Sequence, residues 1–281
     1  MMPRLLPLAL ATLLLALSGS AAETKAVAPI VPREKIVLFN GTSLAQFYPW
    51  LAKFGREDPD QVFKVVDAVD GAPAIRMSGQ HFGGIVTRER YANYKLVAEY
   101  RWGLVTWAPR KDRARDAGIL LHVQGEDGNY AKDFRGPWTR SVEYQIIEGG
   151  TGDIILVGGY ERATGELITP RLTTKVTPGT QNWNPVGGVM TEITKGRINW
   201  QYRDPAWKDT LGFRGPRDAE KPVGEWNRIE AICRGGDVTY FLNGIKVMEG
   251  INGTLTEGRL LFQSEGAEIF FRKIELHPLD Q

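Results

Sequence analysis

Short runs of β-branched and aromatic residues, separated by glycine, proline, asparagine and aspartate, follow one another along most of this sequence. Many runs alternate apolar and polar residues, which is typical of strands with one buried face. The pair Asn243-Gly244 in "YFLNGIKV" favours a tight two-residue hairpin turn, because both positions adopt positive φ there. No segment has a convincing amphipathic helical pattern. The sequence therefore predicts an all-β fold made of two packed antiparallel sheets.

The amino terminus predicts export. Residues 1–22 contain Arg4, the apolar run "LALATLLLAL" and the small residues of "SGSAA", an order typical of a secretory signal peptide. We predict cleavage near Ala22 and a periplasmic or secreted protein with no membrane association after cleavage, since no later segment reaches roughly 20 apolar residues. The single cysteine, Cys233, leaves no intramolecular disulfide, which favours a bacterial periplasm.

Length and charge limit the domain organisation and the class of partner. We predict an N-terminal extension over residues 23–35 and one β-sandwich domain over 36–281, with a long loop insertion at about 164–222. The formal net charge is +2 with both signs interspersed, so nothing indicates a nucleic-acid partner. A small neutral carbohydrate is the predicted partner.

The segment "WTRSVEYQIIEGGTGD" places several polar side chains in an otherwise apolar strand. Glu143 and Gln145 project from one face of that strand, because alternate residues share a face. Glu148 is out of phase with Glu143, and a β-bulge at Ile146-Ile147 would return it to the same face. A retaining glycosidase needs two carboxyl groups about 5 Å apart, and only such a bulge would bring these two glutamates together.

The preceding strand, "DAGILLH", repeats the alternation and places Asp116 and His122 on one face. If it pairs with "SVEYQI", these two side chains lie beside Glu143 and Gln145. Oxygen ligands from Glu143, Gln145 and Asp116 would suit one divalent cation, Ca²⁺, Mg²⁺ or Mn²⁺, and no organic cofactor is expected. His81, in the glycine-flanked loop "SGQHFGG", is a further histidine that could line the same cleft.

An ordered set of segments resembles one known family. "IVLFNGTSLAQF", "NYKLVAEYRW", "DAGILLH", "SVEYQIIEGGTGD", "GEWNRIEAICRGGDVTYFLNGIKV" and "GRLLFQSEGAEIFFRKIELHPL" follow the segments of the 3-keto-disaccharide hydrolase family. The resemblance implies a jelly-roll sandwich of the concanavalin A-like lectin and glucanase type. It also implies an exported enzyme that cleaves 3-keto-glycosides made by a partner sugar C3-oxidoreductase.

The resemblance also assigns residues. The family's E-x-Q pattern falls on Glu143 and Gln145, its polar strand end on His122, and its strand start on Asp116. Where relatives often have histidine in "Q-x-H-G", this chain has Glu265. We expect Glu143 to be catalytic, with His122 or Glu148 as the base. The expected substrate-binding residues are Gln145, His81, Arg101, Trp138 and Trp183.

The chemistry of a 3-keto sugar suits this set. The ketone acidifies the hydrogen on C2, so a base can remove it and the C1 substituent can leave by β-elimination. A cation could stabilise the enolate oxygen. Two alternatives stay open at this point: a non-catalytic carbohydrate-binding module on the same sandwich, and a conventional retaining glycosidase that uses Glu143 and Glu148.

Overall fold

The computed structural model describes residues 28–280, so the predicted signal peptide lies outside the described residues. The described residues contain strands and no helix. None of them forms a helix long and apolar enough to cross a membrane. The strands are β1 Ile36–Val37, β2 Phe47–Leu51, β3 Phe63–Val69, β4 Ala72–Met77, β5 Gly83–Thr87, β6 Tyr91–Ala92, β7 Tyr94–Thr106, β8 Asp116–Val123, β9 Ser141–Ile147, β10 Ile154–Val157, β11 Gly159–Tyr160, β12 Leu167–Ile168, β13 Leu172–Val176, β14 Val189–Ile193, β15 Gly196–Ile198, β16 Asn227–Arg234, β17 Asp237–Leu242, β18 Ile245–Gly250, β19 Glu257–Ser264 and β20 Ala267–Pro278.

Two large antiparallel sheets make up the sandwich. Sheet 1 has the order β18-β17-β16-β7-β20-β4-β3, with β1 also paired to β20. Sheet 2 has the order β15-β10-β9-β8-β19-β5-β2, with β6 also paired to β19. Strands distant in sequence are therefore neighbours in both sheets. The predicted all-β, two-sheet antiparallel sandwich is confirmed.

The core lies between the two sheets and follows the period-2 pattern of the sequence. In β8, Ala117, Ile119 and Leu121 face the core, and in β9 Val142 and Tyr144 do the same. The residues between them face away from sheet 1. We call that surface the outer face of sheet 2.

The predicted loop insertion at 164–222 contains four of the short strands, β12 to β15, and β15 extends the edge of sheet 2. Buried carboxylates hold its irregular second half. Asp153 accepts a hydrogen bond from the Trp200 backbone N–H at 2.8 Å, and Glu148 accepts one from that of Gly212 at 2.8 Å. An otherwise exposed segment is thus fixed by charge-assisted hydrogen bonds to the sandwich.

Glu220 makes the corresponding contact on the side of sheet 1. One carboxylate oxygen accepts hydrogen bonds from Tyr100 Oη at 2.6 Å and Trp102 Nε1 at 2.7 Å. Burial, which disfavours the ionised form, raises the pKa of this carboxyl to about 8.

We expect Glu220→Gln to remove a pH dependence of stability. A carboxyl whose pKa is higher in the folded than in the unfolded chain binds more protons when folded. Stability is therefore lost as the pH rises from about 4.5 to about 8, by up to about 1.4 kcal/mol per pH unit for one proton. Glutamine can accept the same two hydrogen bonds without ionising. Urea unfolding at pH 5 and pH 8 should give a smaller loss for the variant than for the wild type, and equal losses would contradict the assignment.

Candidate functional site

One row of side chains crosses the whole outer face of sheet 2. The strand register places in it Arg197, Ile155, Glu143, Leu120, Leu261, Val86 and Tyr48, one from each strand from β15 to β2. Residues directly opposite each other on neighbouring strands share a face. Glu143 therefore lies beside the buried apolar side chains of Leu120 and Leu261, with the Arg197 guanidinium two strands away.

The next row contains two glycines. Gly118 lies opposite Gln145, and Gly84 lies opposite both Gln263 and Trp50. A Cβ atom added at Gly118 would lie 2.4 Å from Oε1 of Gln263 and 2.5 Å from Oε1 of Glu143. The missing side chain at Gly118 thus gives the space into which Gln263 and Glu143 extend.

Three carboxyl groups, from the neighbouring strands β8 and β9 and from the turn after β19, influence one another at this place. Burial, then the charge of Asp116, raises the pKa of Glu143 to about 8. Burial raises the pKa of Asp116 to about 6, against the opposing effect of Arg110. Burial and the charges of Asp116 and Glu143 likewise raise the pKa of Glu265, which is half-buried. We call Asp116, Glu143 and Glu265 the acid cluster.

Polar partners hold the acid cluster. Gln145 donates its side-chain N–H to Asp116, and the Arg110 guanidinium lies 3.0 Å from the other oxygen of Asp116. The charge of Arg197 opposes the rise in the pKa of Glu143. The same guanidinium forms an ion pair with Asp153 at 3.2 Å. Glu143 is 4% exposed and Gln145 2%. As predicted, Glu143, Gln145 and Asp116 project from the same face of the sheet.

The expected placement of His122 is wrong. Two residues of β8, Leu121 and His122, oppose the single residue Leu260 between the pairs Arg259–Val123 and Leu261–Leu120, and His122 has φ 53°. This β-bulge reverses the alternation and turns the imidazole into the core, against the Tyr94 ring edge. Nδ1 donates to the Leu255 carbonyl at 3.0 Å. Burial lowers the pKa of His122 to about 4, so the imidazole is neutral at pH 7.

Strand β9 lacks the bulge at Ile146-Ile147 that would bring Glu148 to the face of Glu143. β8 and β9 pair without a register shift from Asp116–Ile147 to Leu121–Val142. Glu148 therefore stays out of phase with Glu143 and forms a buried ion pair with Arg115 at 2.7 Å. The structure does not bring the two glutamates of the retaining-glycosidase hypothesis together.

The predicted substrate contacts separate into two groups. Arg101 belongs to sheet 1, where it pairs with Asp70 and lies over Trp226, and Trp183 is 3% exposed in the core. The structure does not bring either residue to the acid cluster, because Arg101 is on the far side of the sandwich and Trp183 is inside it. Trp138 packs against the outer face of sheet 2, stacked on Phe82 at 6.3 Å between ring centroids.

His81 lies in the loop before β5. Its Nε2 is 2.7 Å from the Asp60 carboxylate, and its ring edge meets Phe54. Its backbone carbonyl accepts a hydrogen bond from Ser264 at the end of β19. The loop thus adjoins the strand end next to Glu265, while the imidazole is held by Asp60.

The predicted cation ligands, Glu143, Gln145 and Asp116, are not arranged as a metal-binding site in this structure. Among residues 28–280, no group of three or more His, Cys, Asp or Glu side chains is arranged to hold a metal ion. Both oxygens of Asp116 are occupied by Gln145 and Arg110, and Gln145 presents its N–H there rather than its carbonyl. The divalent cation stays a prediction that metal analysis of the purified protein would test.

Comparison with known families identifies the chain. The model of the 3-keto-alpha-glucoside-1,2-lyase-like domain matches residues 34–277, almost the whole described chain. The chain belongs to this family. The resemblance predicted from the ordered segments is confirmed, and family membership indicates a carbohydrate-active protein.

Solved structures with a similar fold include members of several carbohydrate-related classes. A putative glycosyl hydrolase from Parabacteroides distasonis ATCC 8503 has 19% identity, covers 88% of this chain and 94% of its own, and gives a TM-score of 0.47. The carbohydrate-binding module CBM66 from Bacillus subtilis has 10% identity, covers 76% of this chain and 91% of its own, and gives a TM-score of 0.40. Such low values say nothing about the substrate. The comparison with curated proteins gave no match.

Sequence reasoning missed several residues around the acid cluster of this lyase-like domain. Gln263, Arg110 and Arg197 come from β19, a loop and β15, and only the strand order brings them to Glu143. The "QSEG" segment gave one signal, because it differs from the family pattern at Glu265. The basic loop "APRKDRARDA" contains Arg110, but its pattern alone is that of a solvated connection.

Proposed function

We propose that this 3-keto-alpha-glucoside-1,2-lyase-like protein cleaves the glycosidic bond of 3-keto-glycosides at the acid cluster, with Glu143 as the general base. The observation that carries the proposal is the buried Glu143 carboxyl, whose pKa of about 8 is raised by burial and by Asp116. A base works best when its pKa is near the operating pH, and perturbed carboxyls gather at functional sites.

The proposed reaction needs one base and a positive charge near the ketone. The Glu143 carboxylate takes the C2 hydrogen, the C2–H electron pair forms the C1=C2 bond, and the C1–O bond breaks. The leaving oxygen takes a proton from the new carboxylic acid, and water then adds to the enone, so the net reaction is hydrolysis. Arg110 and Arg197 supply positive charge that would stabilise the enolate oxygen.

Two substrates separate this proposal from its two alternatives. The purified protein is incubated with a 3-keto-glucoside and, separately, with the unoxidised glucoside. Release of the aglycone from the keto sugar alone supports the proposal, and release from both supports a conventional glycosidase. Binding without turnover supports a non-catalytic module, which the Trp138–Phe82 stack on the outer face of sheet 2 would also suit.

We expect the rate to rise with pH. The Glu143 base must be ionised, so kcat/KM for a 3-keto-glucoside should increase through an apparent pKa of about 8. Asp116→Asn removes the negative charge that helps to raise this pKa, so the variant's profile should move to lower pH. A profile with its rising limb near the ordinary pKa of a glutamate, or unmoved in the variant, would contradict the assignment.

The proposed reaction implies an enzyme that makes its substrate, and the N-terminal sequence predicts where the protein acts. A C3 ketone must be made by a sugar C3-oxidoreductase, which would supply the substrate. We also propose export through the segment 1–22, which cell fractionation and N-terminal sequencing would test.

A further inference from the structure

Beyond the acid cluster, the outer face of sheet 2 ends in an arginine-lined cleft. Two adjoining clefts of about 280 Å³ and about 340 Å³ share Gly125 and Arg259. Their arginines are Arg56, Arg90, Arg140, Arg162 and Arg259. We call the joined clefts the arginine cleft.

Acidic side chains pair with four of these arginines. The pairs are Arg56–Asp127, Arg90–Glu257, Arg140–Glu161 and Arg162–Glu126. Asp127 also accepts a hydrogen bond from Tyr48 Oη at 2.8 Å, so its oxygens are engaged. These acidic side chains are therefore already paired with arginines of the cleft.

Arg259 is the remaining arginine. Within residues 28–280, no carboxylate lies within ion-pair distance of its guanidinium, and the side chain makes only a long contact of 3.5 Å from Nε to the Arg88 carbonyl. Its Nη groups are therefore available to a ligand at the junction of the two clefts. An arginine presents a planar fork of donors that matches carboxylate and sulfate groups.

Arg259 shares its face with the acid cluster. It stands in β19 two residues from Leu261 and four from Gln263, so the three side chains project to the same side. Its Cα lies roughly 13 Å from that of Gln263 at ~3.3 Å per residue. Between them lie Leu120, Val123 and Leu261, a buried apolar cluster against which the partly buried rings of Trp50 and Trp138 pack.

We propose, resting on the proposed function, that the part of the substrate which leaves from C1 carries an anionic group, a carboxylate or a sulfate, that Arg259 binds. The sugar ring lies at Glu143, the leaving group passes over the rings of Trp50 and Trp138, and its anion reaches the arginine cleft. The mixed net charge of the whole chain predicted a neutral partner, but the charge that a ligand meets is local.

Matched glycosides test the proposal by binding. The probes are 4-carboxyphenyl glucoside, its uncharged methyl ester, and the phenyl glucoside that carries a sulfate ester at position 4 of the phenyl ring. Calorimetry with the full-length protein measures the affinity for each probe. We expect the wild type to bind the charged probes roughly tenfold more tightly than the ester, a preference that weakens with added salt. The carboxylate and sulfate arms show which anion fits.

Arg259→Gln should remove the preference for the charged probes, while Arg259→Lys should keep part of it. The control Arg228→Gln makes the same charge change on sheet 1, where Arg228 pairs with Glu230, and should leave the preference unchanged. Thermal unfolding checks that each variant is folded. Equal affinity of the wild type for acid and ester, or an unchanged preference in a folded Arg259→Gln, would overturn the proposal.

The binding result does not depend on turnover. If 3-keto-glucosides are not cleaved but the charged probes still bind through Arg259, the proposed reaction is wrong and the anion site stands. If keto sugars are cleaved with no preference for a charged leaving group and no effect of Arg259→Gln, the reaction stands and the anion site is wrong.

Discussion

Replacing Glu143 by glutamine is expected to lower kcat for a 3-keto-glucoside by roughly 10²- to 10⁴-fold, the usual contribution of a general base. Glutamine has nearly the same shape and fits over Gly118, but it cannot take the C2 hydrogen. Single-turnover kinetics would show the loss in the chemical step rather than in binding.

The same variant should remain folded. The raised pKa means that the folded protein disfavours the ionised Glu143 carboxylate, so a neutral amide does not reduce stability at pH 8. The control Glu230→Gln alters a glutamate of β16 on sheet 1, where Lys95 and Arg228 surround it, and should leave kcat unchanged. Full activity in a folded Glu143→Gln would refute the assigned base.

Replacing Arg115 by methionine is expected to destabilise the fold by about 3–5 kcal/mol, the usual effect of leaving one partner of a buried ion pair alone. Arg115 contacts Glu148 through its guanidinium at 2.7 Å and through its backbone N–H at 2.9 Å. The Arg115 and Glu148 side chains are 9% and 1% exposed, so water cannot replace the lost contact. Urea unfolding measures the loss.

Two comparisons identify the cause. Adding Glu148→Gln to Arg115→Met should recover part of the stability, because the unpaired charge is then removed. Arg162→Met breaks an ion pair with Glu126 whose side chains are 59% and 53% exposed, and it should change stability by at most about 1 kcal/mol. Similar losses at both sites would show that desolvation of Glu148 is not the cause.

Local patterns in the sequence were enough for the sandwich and for part of the site. Alternation in β8 and β9 places Ile119 and Tyr144 in the core and therefore Gly118, Glu143 and Gln145 on the other face. This follows because a regular strand has a strict period of two residues. The ordered family segments added the class of substrate to be tested.

Counting in steps of two residues assigned a side chain to the wrong face where a strand is irregular. His122 was assigned to the face of Asp116 by counting, but the extra residue in β8 turned it into the core. The retaining-glycosidase alternative required a bulge at Ile146-Ile147, but β9 is regular there and Glu148 pairs with Arg115 instead. The bulge at His122 depends on how β8 pairs with its neighbour β19. That strand lies more than a hundred residues further along the chain, so the pattern within β8 does not reveal the bulge.

The sequence by itself determined the strand content, the core-facing residues and the shared face of Glu143 and Gln145, because these depend on residues within one strand. Tertiary structure alone decided that β19 lies beside β8 and β15 beside β10, and so brought Gln263, Glu265 and Arg197 to the acid cluster. It also decided that Arg259 has no acidic partner among the described residues. Charge pairing and desolvation depend on distances between strands, and these are fixed only when the two sheets pack.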